Sequence, residues 1–91
     1  MTIEFTKNAW EDFEYWIETD RETVVKIKEL LQSIRAHPFR GIGKPEPLKY
    51  GLQGYWSRRI TREHRLVYKI SGKKGVDQRC FVLQCRFHYD G

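Results

Sequence analysis

The chain has 91 residues, and 17 lysines and arginines outweigh 12 aspartates and glutamates for a formal net charge of +5. That length suits one domain, taken as residues 1–91, and the charge directs it toward polyanions such as RNA, DNA, an acidic protein or an anionic surface. No apolar run approaches the roughly 18 residues of a membrane span, and residues 1–5 lack the basic and apolar regions of a signal peptide, so a cytoplasmic protein without membrane contact is expected.

Alternation at residues 3–5 reads as a short strand. Asn8, with Glu11 three residues on, reads as a capping box, and Trp10, Phe13, Trp16 and Ile17 then recur at helical spacing and are expected to face inward together. Asp20 is placed to cap a second helix with the apolar stripe Val24, Ile27, Leu31 and Ile34, which Pro38 ends. The two helices form a hairpin joined at Thr19 and Asp20, with a mixed-charge, solvated outer face. Residues 39–54 carry Gly41, Gly43, Pro45, Pro47, Gly51 and Gly54 and read as an ordered loop. Within it, Gly41-Ile42-Gly43-Lys44 lacks the full spacing and the following hydroxyl residue of a phosphate loop. Strand-like runs follow at residues 55–60, 65–70 and 81–87. The expected fold is α+β: an N-terminal helical hairpin packed on one face of an antiparallel β-sheet.

Successive strand residues point to opposite faces, which assigns sides if no bulge intervenes. Leu66, Tyr68 and Ile70 are expected inward with Trp56, Arg58 and Ile60, and with Phe81, Leu83, Cys85 and Phe87 from the last strand. Arg59, Arg65, Arg86 and His88 then share the face away from the helices, a ladder of like charge that is costly unless an anion covers it. Cys80 and Cys85, an odd separation apart, should point to opposite faces and so not bond to each other. Neither these cysteines nor the scattered His37, His64 and His88 match a metal-ligand spacing, and no cofactor is expected.

Scission of RNA by its own 2′-hydroxyl requires a base for that proton, an acid for the departing 5′-oxygen, and cations around the crowded phosphorus. Glu46, His88 and Arg65 are side chains of those three kinds. Prolines on both sides of Glu46 restrict its backbone, and Lys44 and Lys49 flank it. The same residues also fit a simpler reading, in which the basic face only holds phosphate and Glu46 is a loop charge paired with Lys49.

Longer strings narrow the choice. Trp10-Glu11-Asp12, Tyr15-Trp16, Glu18-Thr19-Asp20, His37-Pro38-Phe39 and Gly43-Lys44-Pro45-Glu46-Pro47-Leu48-Lys49 occur in that order. Gly54-Tyr55-Trp56-Ser57-Arg58-Arg59-Ile60, His64-Arg65-Leu66-Val67-Tyr68 and Cys85-Arg86-Phe87-His88-Tyr89 follow them. Together they resemble the YoeB (Txe) family of the RelE/ParE superfamily, the toxins of type II toxin-antitoxin pairs. The resemblance implies a RelE-like fold and metal-independent cleavage of mRNA in the ribosomal A site. It implies Glu46 as general base, His88 as general acid, Arg65 at the transition state and Tyr89 orienting the nucleotide. Lys49 and Arg59, with Arg86 and Lys44 beside them, would hold the RNA. It further implies a YefM-type antitoxin with an acidic C-terminal segment, and a homodimer as a common state. The ParE branch, which inhibits DNA gyrase without cleavage, would not need Glu46 and His88 together. The chain departs from the family's usual form in a longer loop over residues 72–78 and in Asp90 and Gly91 after the Tyr.

Overall fold

The computed structural model describes residues 1–88. Strand β1 (Thr2–Phe5) leads into helices α1 (Lys7–Thr19) and α2 (Arg21–Ala36), then into the strands β2 (Glu46–Pro47), β3 (Tyr55–Arg59), β4 (Arg65–Ser71) and β5 (Arg79–Gln84). They form one sheet in the order β1-β5-β4-β3-β2. The expected antiparallel run of β3, β4 and β5 is present. It is extended at one edge by β1, which pairs parallel to β5, and at the other by β2, a two-residue strand inside the glycine- and proline-rich loop.

The hairpin follows from its caps. Asp20 accepts hydrogen bonds from the backbone N–H groups of Glu22 and Thr23, and its other oxygen receives the Thr23 hydroxyl, so one residue ends α1 and starts α2. Asp20→Ala is expected to destabilise the protein by about 1 kcal/mol, a melting-temperature loss of about 5 °C by calorimetry. The cap of α1 is not Asn8 but Thr6, two residues earlier. Its Oγ1 accepts from the Ala9 N–H at 3.1 Å and donates to the Leu83 carbonyl at 3.0 Å, so the helix starts where β5 fixes it.

One core lies between the hairpin and the sheet, where Ala9, Trp16, Ile27, Leu30 and Ile34 meet Ile60, Leu66, Tyr68, Cys80, Val82 and Cys85. Trp10 and Ile17, expected inward, are instead about half exposed. Trp10 packs with Phe5 and Phe13 in an aromatic group at the start of α1, since only a narrow stripe of that helix reaches the sheet.

The sides of β5 also differ from expectation. Cys80 and Val82 face the core and pair with Ile70 and Tyr68, while Phe81 and Leu83 lie toward the open side and Phe87 is largely exposed. For residues 80–83 the cause is a bulge opposite Val67 and Tyr68, where the pairing steps from Val82 to Gln84; Phe87 lies past the end of β5 with a φ of +65°. One extra residue inverts the alternation beyond it. Cys85 therefore joins Cys80 in the core; both are free thiols, and burial pushes each up to about 12.

Candidate nucleic-acid interface

Two lateral rows build the end of the open sheet face. In the first, Glu46 pairs with Ser57, Ser57 with Val67 and Val67 with Gln84, so these four positions share a side. In the second, Arg59 pairs with Arg65 across β3 and β4. The Arg59 N–H donates to the Gly43 carbonyl at 2.7 Å, and the Arg65 N–H to the Phe87 carbonyl at 3.0 Å. The chain entering β2 and the chain leaving β5 are thus tied to the two ends of one arginine pair.

Gly43 occupies a place no side chain can take. Its φ is +83°, and a Cβ there would lie 2.7 Å from Leu30 Cδ2 and 3.2 Å from the Arg59 carbonyl oxygen. The loop behind it is held by Arg58, expected inward and found fully buried. Its guanidinium donates to the carbonyls of His37, Arg40 and Ile42, to Ser33 Oγ and to Tyr68 Oη, and Tyr68 in turn donates to the Pro38 carbonyl. Residues 37–43 are therefore pinned to α2 and the sheet, which sets where β2 and Glu46 begin.

Arg59 is exposed, whereas Arg65 is 9% exposed and its Nη1 donates to the carbonyls of Thr61, Arg62 and His64 at 2.9, 3.1 and 3.1 Å. Arg65 is thus preorganised: its guanidinium is already oriented by the turn over residues 61–64. Glu46, Lys44 and Lys49 are exposed around β2. The face continues in Lys69, whose ammonium lies 5.6 Å from the Tyr55 ring centroid, and in Arg79 over Phe81 at 5.2 Å. Such cation and aromatic alternation suits a chain of phosphates and bases.

Arg86 does not join this row. Past the end of β5 it turns toward α1, with its guanidinium carbon 3.5 Å from the Tyr15 ring centroid and 4.4 Å from that of Phe87. β5 ends at Gln84, and the chain bends over residues 85–87, which takes Arg86 out of the row. His88 is described and exposed, and Tyr89 lies outside the described residues. From Glu46 to the segment at Phe87 there are three interstrand intervals and a two-residue offset, about 15 Å between backbones.

Three side chains that sequence reasoning passed over hold the segment leading to His88. Asp12 Oδ2 accepts the Cys85 N–H, Trp16 Nε1 donates to the Cys85 carbonyl at 2.8 Å, and His64 Nδ1 accepts the Phe87 N–H at 2.7 Å. Burial raises Asp12 above the usual aspartate range, opposed by the Cys85 N–H and by Arg86. The sequence signal for this pair lies in α1: a buried indole N–H needs an acceptor, and Asp12 stands one helical turn from Trp16. Among the described residues no group of three or more His, Cys, Asp or Glu side chains gathers as for a metal ion, and no helix is long and apolar enough to cross a membrane.

A basic sheet face opposite an amphipathic hairpin defines a small α+β protein with one cationic surface. The family described as "YoeB-like toxin of bacterial type II toxin-antitoxin system" matches residues 5–89. Toxin YoeB of Escherichia coli K12 is 48% identical over 89 residues, covering 98% of this chain and all of that one. Among solved structures, a YoeB/ParE toxin from Agrobacterium tumefaciens superposes with a TM-score of 0.92 at 52% identity, over 98% of this chain and 100% of that one. A YoeB dimer from Staphylococcus aureus gives 0.87 at 44%, and a heterotetrameric YoeB-YefM toxin-antitoxin complex from the same species 0.85 at 43%, each over 98% of both chains. The chain belongs to the YoeB-like toxins of bacterial type II toxin-antitoxin systems.

Proposed function

We propose that this toxin, acting as one domain over residues 1–91, is a ribosome-dependent endoribonuclease that cuts mRNA in the A site of the cytoplasmic ribosome and so stops translation. Glu46 takes the proton of the 2′-hydroxyl, the 2′-oxygen bonds to phosphorus, and the bond to the 5′-oxygen breaks as that oxygen takes a proton from His88. The products are a 2′,3′-cyclic phosphate and a 5′-hydroxyl. Arg65 stabilises the charge on the crowded phosphorus, Lys44, Lys49 and Arg59 hold the flanking phosphates, and Tyr89 orients the nucleotide. Arg86 contributes long-range charge and supports the segment before His88. These side chains account for every proton and charge of the step, so the reaction is metal-independent.

The observation that carries this reading is the cross-strand pair of Arg59 and Arg65, tied at one end to the loop before Glu46 and at the other to the segment before His88. Two guanidinium groups directly opposite repel each other, and an anion between them relieves that repulsion. The same cations suit an acidic segment of a YefM-type antitoxin, in line with the S. aureus complex, and the S. aureus dimer supports a homodimer as a second assembly.

The dependence on the ribosome is testable by substrate. Naked message is expected to bind in a salt-sensitive manner but to be cut at least about 100-fold more slowly than message on the ribosome. Primer extension on both substrates with purified toxin measures the ratio; equal rates contradict the reading.

A further inference from the structure

We infer that His64 is the positioning residue that sets the place of His88, an inference that rests on the acid-base reading above. Phe87 has a φ of +65°, a left-handed conformation that a non-glycine residue adopts only when its surroundings hold it there. Its surroundings do so from two adjacent residues: His64 Nδ1 accepts the Phe87 N–H at 2.7 Å, and the Arg65 N–H donates to the Phe87 carbonyl at 3.0 Å.

The imidazole of His64 is itself fixed. It stands edge-on to Trp16 with ring centroids 4.8 Å apart and lies against Phe87 at 6.1 Å. Its backbone N–H donates to Thr61 Oγ1, and its carbonyl accepts from Arg65 Nη1. Trp16 also donates to the Cys85 carbonyl, so both ends of the bend over residues 85–87 are held by one stack of rings. Because Nδ1 accepts a backbone N–H, the ring proton sits on Nε2, and the neutral ring makes this contact. The turn that orients the Arg65 guanidinium thus also dictates the direction in which the chain leaves Phe87. A clamp of this kind puts the transition-state cation and the proton donor in one rigid unit, and misplacement of either by about 1 Å costs on the order of 10²-fold in rate.

The test separates the ring from its nitrogen. His64→Phe keeps a ring against Trp16 and removes the acceptor; His64→Asn gives up the ring and keeps an acceptor at the position of Nδ1. With ribosome-bound message, His64→Phe is expected to lower kcat about tenfold or more with KM within about twofold, and His64→Asn to recover most of kcat. The Phe87 amide is expected to exchange with solvent about tenfold or more faster in His64→Phe and to remain protected in His64→Asn. Added to His88→Gln, His64→Phe is expected to cost less than about twofold more, because a positioning residue acts through the group it places. The inference is overturned by a kcat for His64→Phe within twofold of wild type, by equal losses in the Phe and Asn variants, or by effects that multiply with His88→Gln. Should His64→Phe not fold, His64→Ala serves as the acceptor-free variant under the same criteria. Wild-type turnover in His88→Gln removes the acid assignment and this inference together, whereas an inactive His88→Gln beside an unaffected His64→Phe removes this inference alone.

Discussion

Glu46→Gln and His88→Gln are each expected to reduce cleavage of ribosome-bound message by about 100-fold or more while leaving ribosome binding nearly intact. Glutamine has almost the shape of glutamate but cannot take the 2′-hydroxyl proton, and in place of His88 it cannot deliver a proton to the departing 5′-oxygen. Both positions are exposed, so neither change should alter folding stability by more than about 0.5 kcal/mol. Cell-free translation with primer extension on the message reads turnover, and calorimetry on the same preparations reads stability. A large loss of cleavage at unchanged melting temperature supports acid-base roles. Wild-type cleavage by both variants would leave the basic face as a holder of phosphate and no more.

Arg58→Met is expected to act in the opposite sense, on the fold before the chemistry. The guanidinium makes five hydrogen bonds in a site with no exposure, all to neutral oxygens. Methionine fills part of the volume but leaves the carbonyls of His37, Arg40 and Ile42 without this donor, a penalty of about 3 kcal/mol or more. For a domain of this size that corresponds to a fall of roughly 15 °C in melting temperature. Arg59→Met, one residue on and exposed, is expected to change stability by less than about 0.5 kcal/mol while weakening the grip on RNA and flattening its salt dependence. Urea denaturation of the two variants side by side checks the contrast; equal stabilities would mean that the loop over residues 37–43 is held by something other than Arg58. Because that loop leads into β2, loss of Arg58 should also release Glu46, so its effect on cleavage is expected even below the melting transition.

Much of the frame was legible from local pattern. Asp20 read as a cap because its short carboxylate can reach the N–H groups two and three residues on wherever it stands. The stripe of α2 was recovered at Ile27 and Ile34, while Thr23 and Leu30 are buried beside Val24 and Leu31, which are partly buried against the core. Parity worked for β3 and β4, whose pairing is regular, so Trp56, Arg58, Leu66 and Tyr68 fall on the side expected of them. Glu46, Arg59 and Arg65 were legible as residue types and as strings of a known family.

What failed to read from sequence depended on partners far along the chain. The bulge in β5 exists only relative to Val67 and Tyr68 of β4, and it put Cys80 and Val82 in the core where Phe81 and Leu83 were expected, while Cys85 beyond it faces inward as expected. Thr6 caps α1 because Leu83, 77 positions away, fixes its hydroxyl. Arg58 became a buried hub, and His64 a clamp on Phe87, because of loops whose course no periodicity records. By itself the amino-acid order determined the element types, the family and the candidate acid-base side chains, since those depend on contacts within a turn or on whole strings. Only the tertiary structure decided which side each strand shows and what holds Glu46 and the approach to His88, because register and cross-chain hydrogen bonds are set between segments rather than within them.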